Sequence, residues 1–135
     1  MQQAQMTAEQ FFQGLLAAIR LHSDVIEGEL ADVHRAFHRV LKELAATQVL
    51  DVDLFDVDYD PLYGQSGWFD RALTTAQLDS VVSFANPSYK KITIKYEPEE
   101  CEEILQTTGS KHEFERFALV FTNSLNAAAP RGSSL

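Results

Sequence analysis

At 135 residues, 45 % of them hydrophobic, the chain has enough material for one domain with a real core. It holds no apolar run long enough to span a bilayer, and its single cysteine, Cys101, cannot build an intrachain disulfide framework. The formal net charge of −9 argues against a chain whose main business is phosphate backbones.

That charge is unevenly placed. Asp51, Asp53, Asp56, Asp58 and Asp60 fall in one stretch, and Glu97, Glu99, Glu100, Glu102 and Glu103 in another. Neither stretch contains a base. The remainder carries eleven Lys and Arg against ten acids, so the protein reads as nearly neutral with two acidic patches added. Such patches are surfaces for protein partners, and Asp51, Asp53, Asp56, Asp58, Asp60, Glu99, Glu100 and Glu103 are the candidate contacts. The opening residues MQQAQMTAEQ lack the charged and apolar regions of a signal peptide, which predicts a cytoplasmic protein and no membrane association.

In chain order, residues 1–6 read as a frayed lead-in. Thr7 to Gln10 fits a capping box, and Phe11, Phe12, Leu15, Leu16 and Ile19 predict a helix ending near Leu21. Gly14 weakens that helix by about 1 kcal/mol relative to Ala unless it serves close packing. Ser23 and Asp24 open a break that Gly28 closes. The clearest helix follows, with Leu30, Val33, Phe37, Val40, Leu41 and Leu44 on one stripe and His34, Arg35, His38, Arg39 and Lys42 on a solvated basic side.

Residues 49–59 mix Asp with apolar residues, and the alternation changes phase at Leu54-Phe55, the mark of a short strand with a bulge or break. Pro61 and Gly64 then turn the chain. Ser66 caps a helix carrying Phe69, Ala72, Leu73 and Ala76. Asn86-Pro87-Ser88 is turn chemistry, and Ile92, Ile94 and Tyr96 alternate with Lys91, Thr93 and Lys95 as one strand of a ribbon. Pro98 opens an acidic helix that Gly109 ends, and Ser110 to Glu113 fits a second capping box before a last helix with Phe114, Phe117, Phe121 and Leu125 inward. Residues 1–126 form one predicted domain and 127–135 a disordered tail. The predicted core is Phe12, Leu16, Ile19, Leu30, Val33, Phe37, Leu41, Phe69, Leu73, Ile92, Ile94, Phe117 and Phe121.

Candidate chemistry is thin. Asp56, Asp58 and Asp60 resemble the start of an EF-hand calcium loop, but Pro61 stands where Gly is needed and Gly67 where Glu is needed. His34 and His38 are spaced to share a metal, yet Arg35, Arg39 and Lys42 surround them with positive charge. Acids on both sides of Cys101 suppress its thiolate. No catalytic, cofactor or metal set emerges, which predicts a non-enzymatic chain. The bases fall into three groups: Arg35, Arg39 and Lys42 on one helix, Arg71 on the next, and Lys90, Lys91 and Lys95 on the ribbon. Of these, Arg35, Arg39, Arg71, Lys90, Lys91 and Lys95 are the candidate phosphate contacts, although lysines on a ribbon also prevent edge-to-edge association.

The stretch from Glu29 to Tyr96 resembles winged helix-turn-helix domains. ELADVHRAFHRVLKEL matches the first helix of the motif, SGWFDRALTTAQLDSVV the helix after the turn, and FANPSYKKITIKY the wing. The resemblance implies an α+β, mostly helical fold with a winged-helix-like core, a small antiparallel β-ribbon and additional N- and C-terminal helices. It implies regulators, antitoxin-like proteins and interaction modules alike. With the bases scattered and the acids concentrated, a protein partner is favoured over DNA, the alternative being a homodimeric DNA-binding regulator. Leu119 and Val120, off the main stripe of the last helix, point to a homodimer or to packing of the first and last helices on each other.

Overall fold

The computed structural model describes residues 5–60, 62, 64–84 and 91–128. Strand β1 (Met6–Thr7) leads into helix α1 (Ala8–Arg20), followed by β2 (Val25–Glu27) and α2 (Leu30–Thr47). Next come β3 (Val52–Asp53), α3 (Gly67–Leu78), β4 (Val82–Phe84), β5 (Lys91–Ile94), α4 (Pro98–Thr108) and α5 (Lys111–Ala128). The fold is α+β and mostly helical, as the sequence predicts.

Three of the predicted caps are made as the residue pattern demands. At the predicted box over 110–113, Ser110 bonds back to Thr108 instead, its N–H donating to Thr108 Oγ1 and its hydroxyl to Thr108 O. The Thr7 hydroxyl accepts from Gln10 N–H while the Gln10 side chain accepts from Thr7 N–H, a complete capping box. Ser66 Oγ accepts from Phe69 N–H at 3.1 Å and starts α3. Gly109 ends α4 with φ at 69°, a left-handed conformation that glycine adopts without strain.

Four expectations need correction. Met6 belongs to no frayed lead-in: β1 pairs in parallel with β3, Met6 opposite Val52. The supposed break after α1 contains strand β2, so the ribbon is a three-stranded antiparallel sheet ordered β2-β5-β4. Three residues with one buried side chain, Ile26, are too short for an alternation to be read. The last helix runs through Ala128, past the predicted tail boundary at 127. Leu30 and Leu41 are half-buried rather than core. Lys90 and the Asn86-Pro87-Ser88 turn lie outside the described residues, as does the tail from 129.

The other predicted core residues are buried, and the buried apolar side chains form one cluster. Adjacent phenylalanines of α1 serve two halves of it. Phe11 meets Phe114 and Phe117 of α5 at ring separations of 5.5 and 5.6 Å. Phe12 meets Phe37 of α2 and Trp68 and Phe69 of α3 edge to face. Gly14 lets α5 approach, since a Cβ there would stand 2.5 Å from the Phe114 ring. The large apolar faces of α1 and α5 are therefore covered within one chain, α1 by α4 and α5, and α5 by α2 as well as α1.

Candidate functional site

The acidic stretch from Asp51 to Asp60 links α2 to α3, and its carboxylates act first on the local backbone. Asp53 Oδ1 accepts from Phe55 N–H at 3.0 Å, and Val57 N–H donates to Leu54 O, closing a turn. The Asp58 carboxylate accepts from Trp68 N–H at 2.8 Å and Gly67 N–H at 3.2 Å, capping α3 from outside. Those bonds, Trp68 foremost, hold the Asp58 carboxyl below its ordinary range against some desolvation, with Arg71 assisting. Asp60 Oδ1 accepts from Leu62 N–H, and Asp51 Oδ1 accepts from Gln5 Nε2.

This bonding leaves large apolar side chains outside. Phe55 is 91 % exposed and Leu62 80 % exposed, with the five Asp of the link exposed around them. The phase change at Leu54-Phe55 reads as a bulge or a break in a short strand; in the fold it is the break, β3 ending at Asp53 in a turn that presents an aromatic ring to solvent.

Among the described residues, the basic group of α2 and Arg71 line different grooves. Arg35, His38, Arg39 and Lys42 line a groove of about 590 Å³ between α2 and α5, opposite Val120 and Asn123. Arg35 is paired with Asp32 at 3.1 Å, and Glu43 at the groove is paired with Arg116 at 3.4 Å. Among the described residues Arg39 and Lys42 carry no ion pair. Arg71 stands elsewhere, on the rim of a cleft of about 370 Å³ floored by Phe12, Leu16, Trp68 and Tyr96, with Asp79 also on its rim. Lys91 is exposed on β5 opposite Glu27, and Lys95 is exposed just past the end of that strand. In the second acidic patch Glu99, Glu100 and Glu103 are exposed, and Glu100 accepts from Glu97 N–H to box the start of α4.

His34 corrects the reading of α2 as basic on one whole side. It is 3 % exposed, accepts from Ser66 N–H through Nδ1 at 3.0 Å, and sits edge-on to Phe69. The signal was present, because position 34 shares the spacing of Leu30, Phe37 and Leu41. His38 instead stacks on Tyr59 of the link, ring centres 3.8 Å apart. The two imidazoles are engaged separately, and among the described residues no cluster of three or more His, Cys, Asp or Glu is placed to hold a metal. Cys101 is fully buried; burial pushes its thiol up, Arg20 opposes this, and Glu100 and Glu102 add to it.

The buried imidazole makes stability pH-dependent. Desolvation lowers the His34 pKa below its ordinary value, with Asp70 opposing. A depressed histidine leaves the unfolded state with more bound protons, so stability is full above the unfolded pKa of about 6.5 and falls as pH drops through the folded value. His38 is lowered too, by burial and then Lys42, and acts in the same direction. The His34 ring should titrate below its ordinary value by NMR. His34→Gln, whose amide oxygen can still accept from Ser66, should flatten the loss of melting temperature between neutral and mildly acid pH. A ring titrating at or above its ordinary value contradicts the account.

Compared with protein-family models, curated proteins and solved structures, the chain matches none of them.

Proposed function

We propose that the chain is a small non-enzymatic binding module, built on a winged-helix-like core, whose partner is another protein. The path of the chain supports the core: a helix, a strand, two helices joined by the link that carries β3, and then two antiparallel strands of which the second is central in the three-stranded sheet. This extends the likeness upstream of Glu29, to α1 and β2.

One observation carries the choice of partner, the exposed Phe55 on a hydrogen-bonded acidic turn. A fixed aromatic ring contributes large contact area at low entropic cost, and aromatic anchors are enriched where interfaces concentrate their energy. The flanking carboxylates give that anchor a preference for a positively charged partner surface.

DNA binding by a homodimer is the second reading. It is favoured by the exposed Arg71, Thr74, Thr75 and Gln77 of α3 and by the exposed Lys91 of β5 and Lys95 just past it. Against it, Asp70 is exposed on the same helix and Asp79 at its C-cap, and the α2 bases line a different groove from Arg71.

A photo-crosslinking amino acid at position 55, in cells, tests the reading. The expected result is a discrete protein adduct that fades when Asp53 and Asp56 become Asn. Absence of any protein adduct at 55 contradicts it.

A further inference from the structure

We infer that the acidic link and the basic α2–α5 groove are the two halves of a contact with a second copy of this chain. The inference rests on the reading of the link as a docking element and names its partner. The two surfaces adjoin, because His38 of the groove stacks on Tyr59 of the link. One is acidic and carries Phe55; the other carries Arg35, Arg39 and Lys42 over the apolar Val120.

Symmetry and charge together select the arrangement. A two-fold contact of groove on groove would set each cation row against its own copy, and link on link would oppose carboxylates. Like charges brought together at an interface cost free energy. Crossing the pair removes both conflicts. With the two-fold axis between adjoining link and groove, each link enters the partner's groove, and the same complementary contact forms twice. Arg39 and Lys42, without an ion pair among the described residues, then meet Asp53 and Asp56 of the other copy, and Phe55 covers Val120. This moves the dimer surface from the expected Leu119 and Val120 helix face to a mixed apolar and charged one. Leu119, 56 % exposed, stays outside it.

Sedimentation of the full chain tests this. Wild type should be dimeric at on the order of 100 µM in about 0.05 M salt and shift toward monomer near 1 M, where screening shortens to roughly 3 Å. Phe55→Ala should weaken the dimer at least about tenfold, as loss of an interface anchor does. Asp53→Lys with Asp56→Lys, and separately Arg35→Glu with Arg39→Glu, should each be monomeric with native circular dichroism. Mixed one to one, the two variants should form a heterodimer, since the reversed link meets the reversed groove and the wild-type pair remains. A monomeric wild type at low salt, a dimer indifferent to both reversals, a mixture that stays monomeric, or an open-ended polymer would each overturn the inference. A crosslinked adduct at position 55 with a different protein, beside a monomeric wild type, would overturn it while leaving the binding-module reading standing. Loss of every adduct at 55 would sink both.

Discussion

Phe37→Ala should lower stability by about 3–5 kcal/mol, the range for deleting a fully buried aromatic ring. Phe37 lies 4.3 Å from Phe69 and 6.0 Å from Trp68 in stacked geometry, and it takes the edge of Phe12. Its ring therefore joins α2 to α1 and to the start of α3. No neighbouring side chain can fill the hole without leaving its own contacts, so little of the cost is recovered by collapse. In urea the midpoint should fall with little change in slope. Leu119→Ala, at an exposed position of α5, should stay within about 0.5 kcal/mol of wild type. An unchanged midpoint for the Phe37 variant would mean that α2 does not present this face to the core.

The second large effect comes from adding atoms rather than removing them. Gly14→Ala removes a helix-interior glycine, which by propensity alone contributes about 1 kcal/mol of stability. The new methyl would stand 2.5 to 2.9 Å from three atoms of the Phe114 ring, which is fully buried against Phe11. Overpacking of this kind costs roughly 1–3 kcal/mol, so Gly14→Ala should destabilise and Gly14→Val more so. Phe114→Leu in the same chain makes room, and the pair should cost less than the sum of the two single changes. Gly14→Ala that stabilises the protein would show that α1 and α5 are not in such close approach.

The helices were legible because their apolar periodicity runs for several turns and their caps are explicit. Thr7 to Gln10, Ser66 and Gly109 act where the residue types place them. Strands of two or three residues give no period to read, which is why β1 and β2 were missed. Pairing partners dozens of residues away decide those segments: β1 with β3, and β2 with β5.

The candidate surfaces were half legible. Acidic clustering is visible in the sequence, but not that Asp53 and Asp58 bind backbone N–H groups and so fix Phe55 outside and α3 in place. The assignment of His34 to a solvated side failed because its ring, polar by type, is satisfied inside by Ser66 N–H. That partner comes from another element, and no local pattern announces it.

We propose that this chain recognises protein through its acidic, aromatic link rather than nucleic acid through its bases. Fluorescence anisotropy of a labelled duplex DNA pool, titrated with the full chain at low and at physiological salt, separates the two readings. With the α2 bases in a different groove from Arg71 and with Asp70 and Asp79 exposed on and beside α3, few phosphates can be neutralised at once, so binding should be weak at low salt and lost at physiological salt. Tight, sequence-selective binding that persists at physiological salt would contradict the claim and make α3 and the β4–β5 hairpin the working surface.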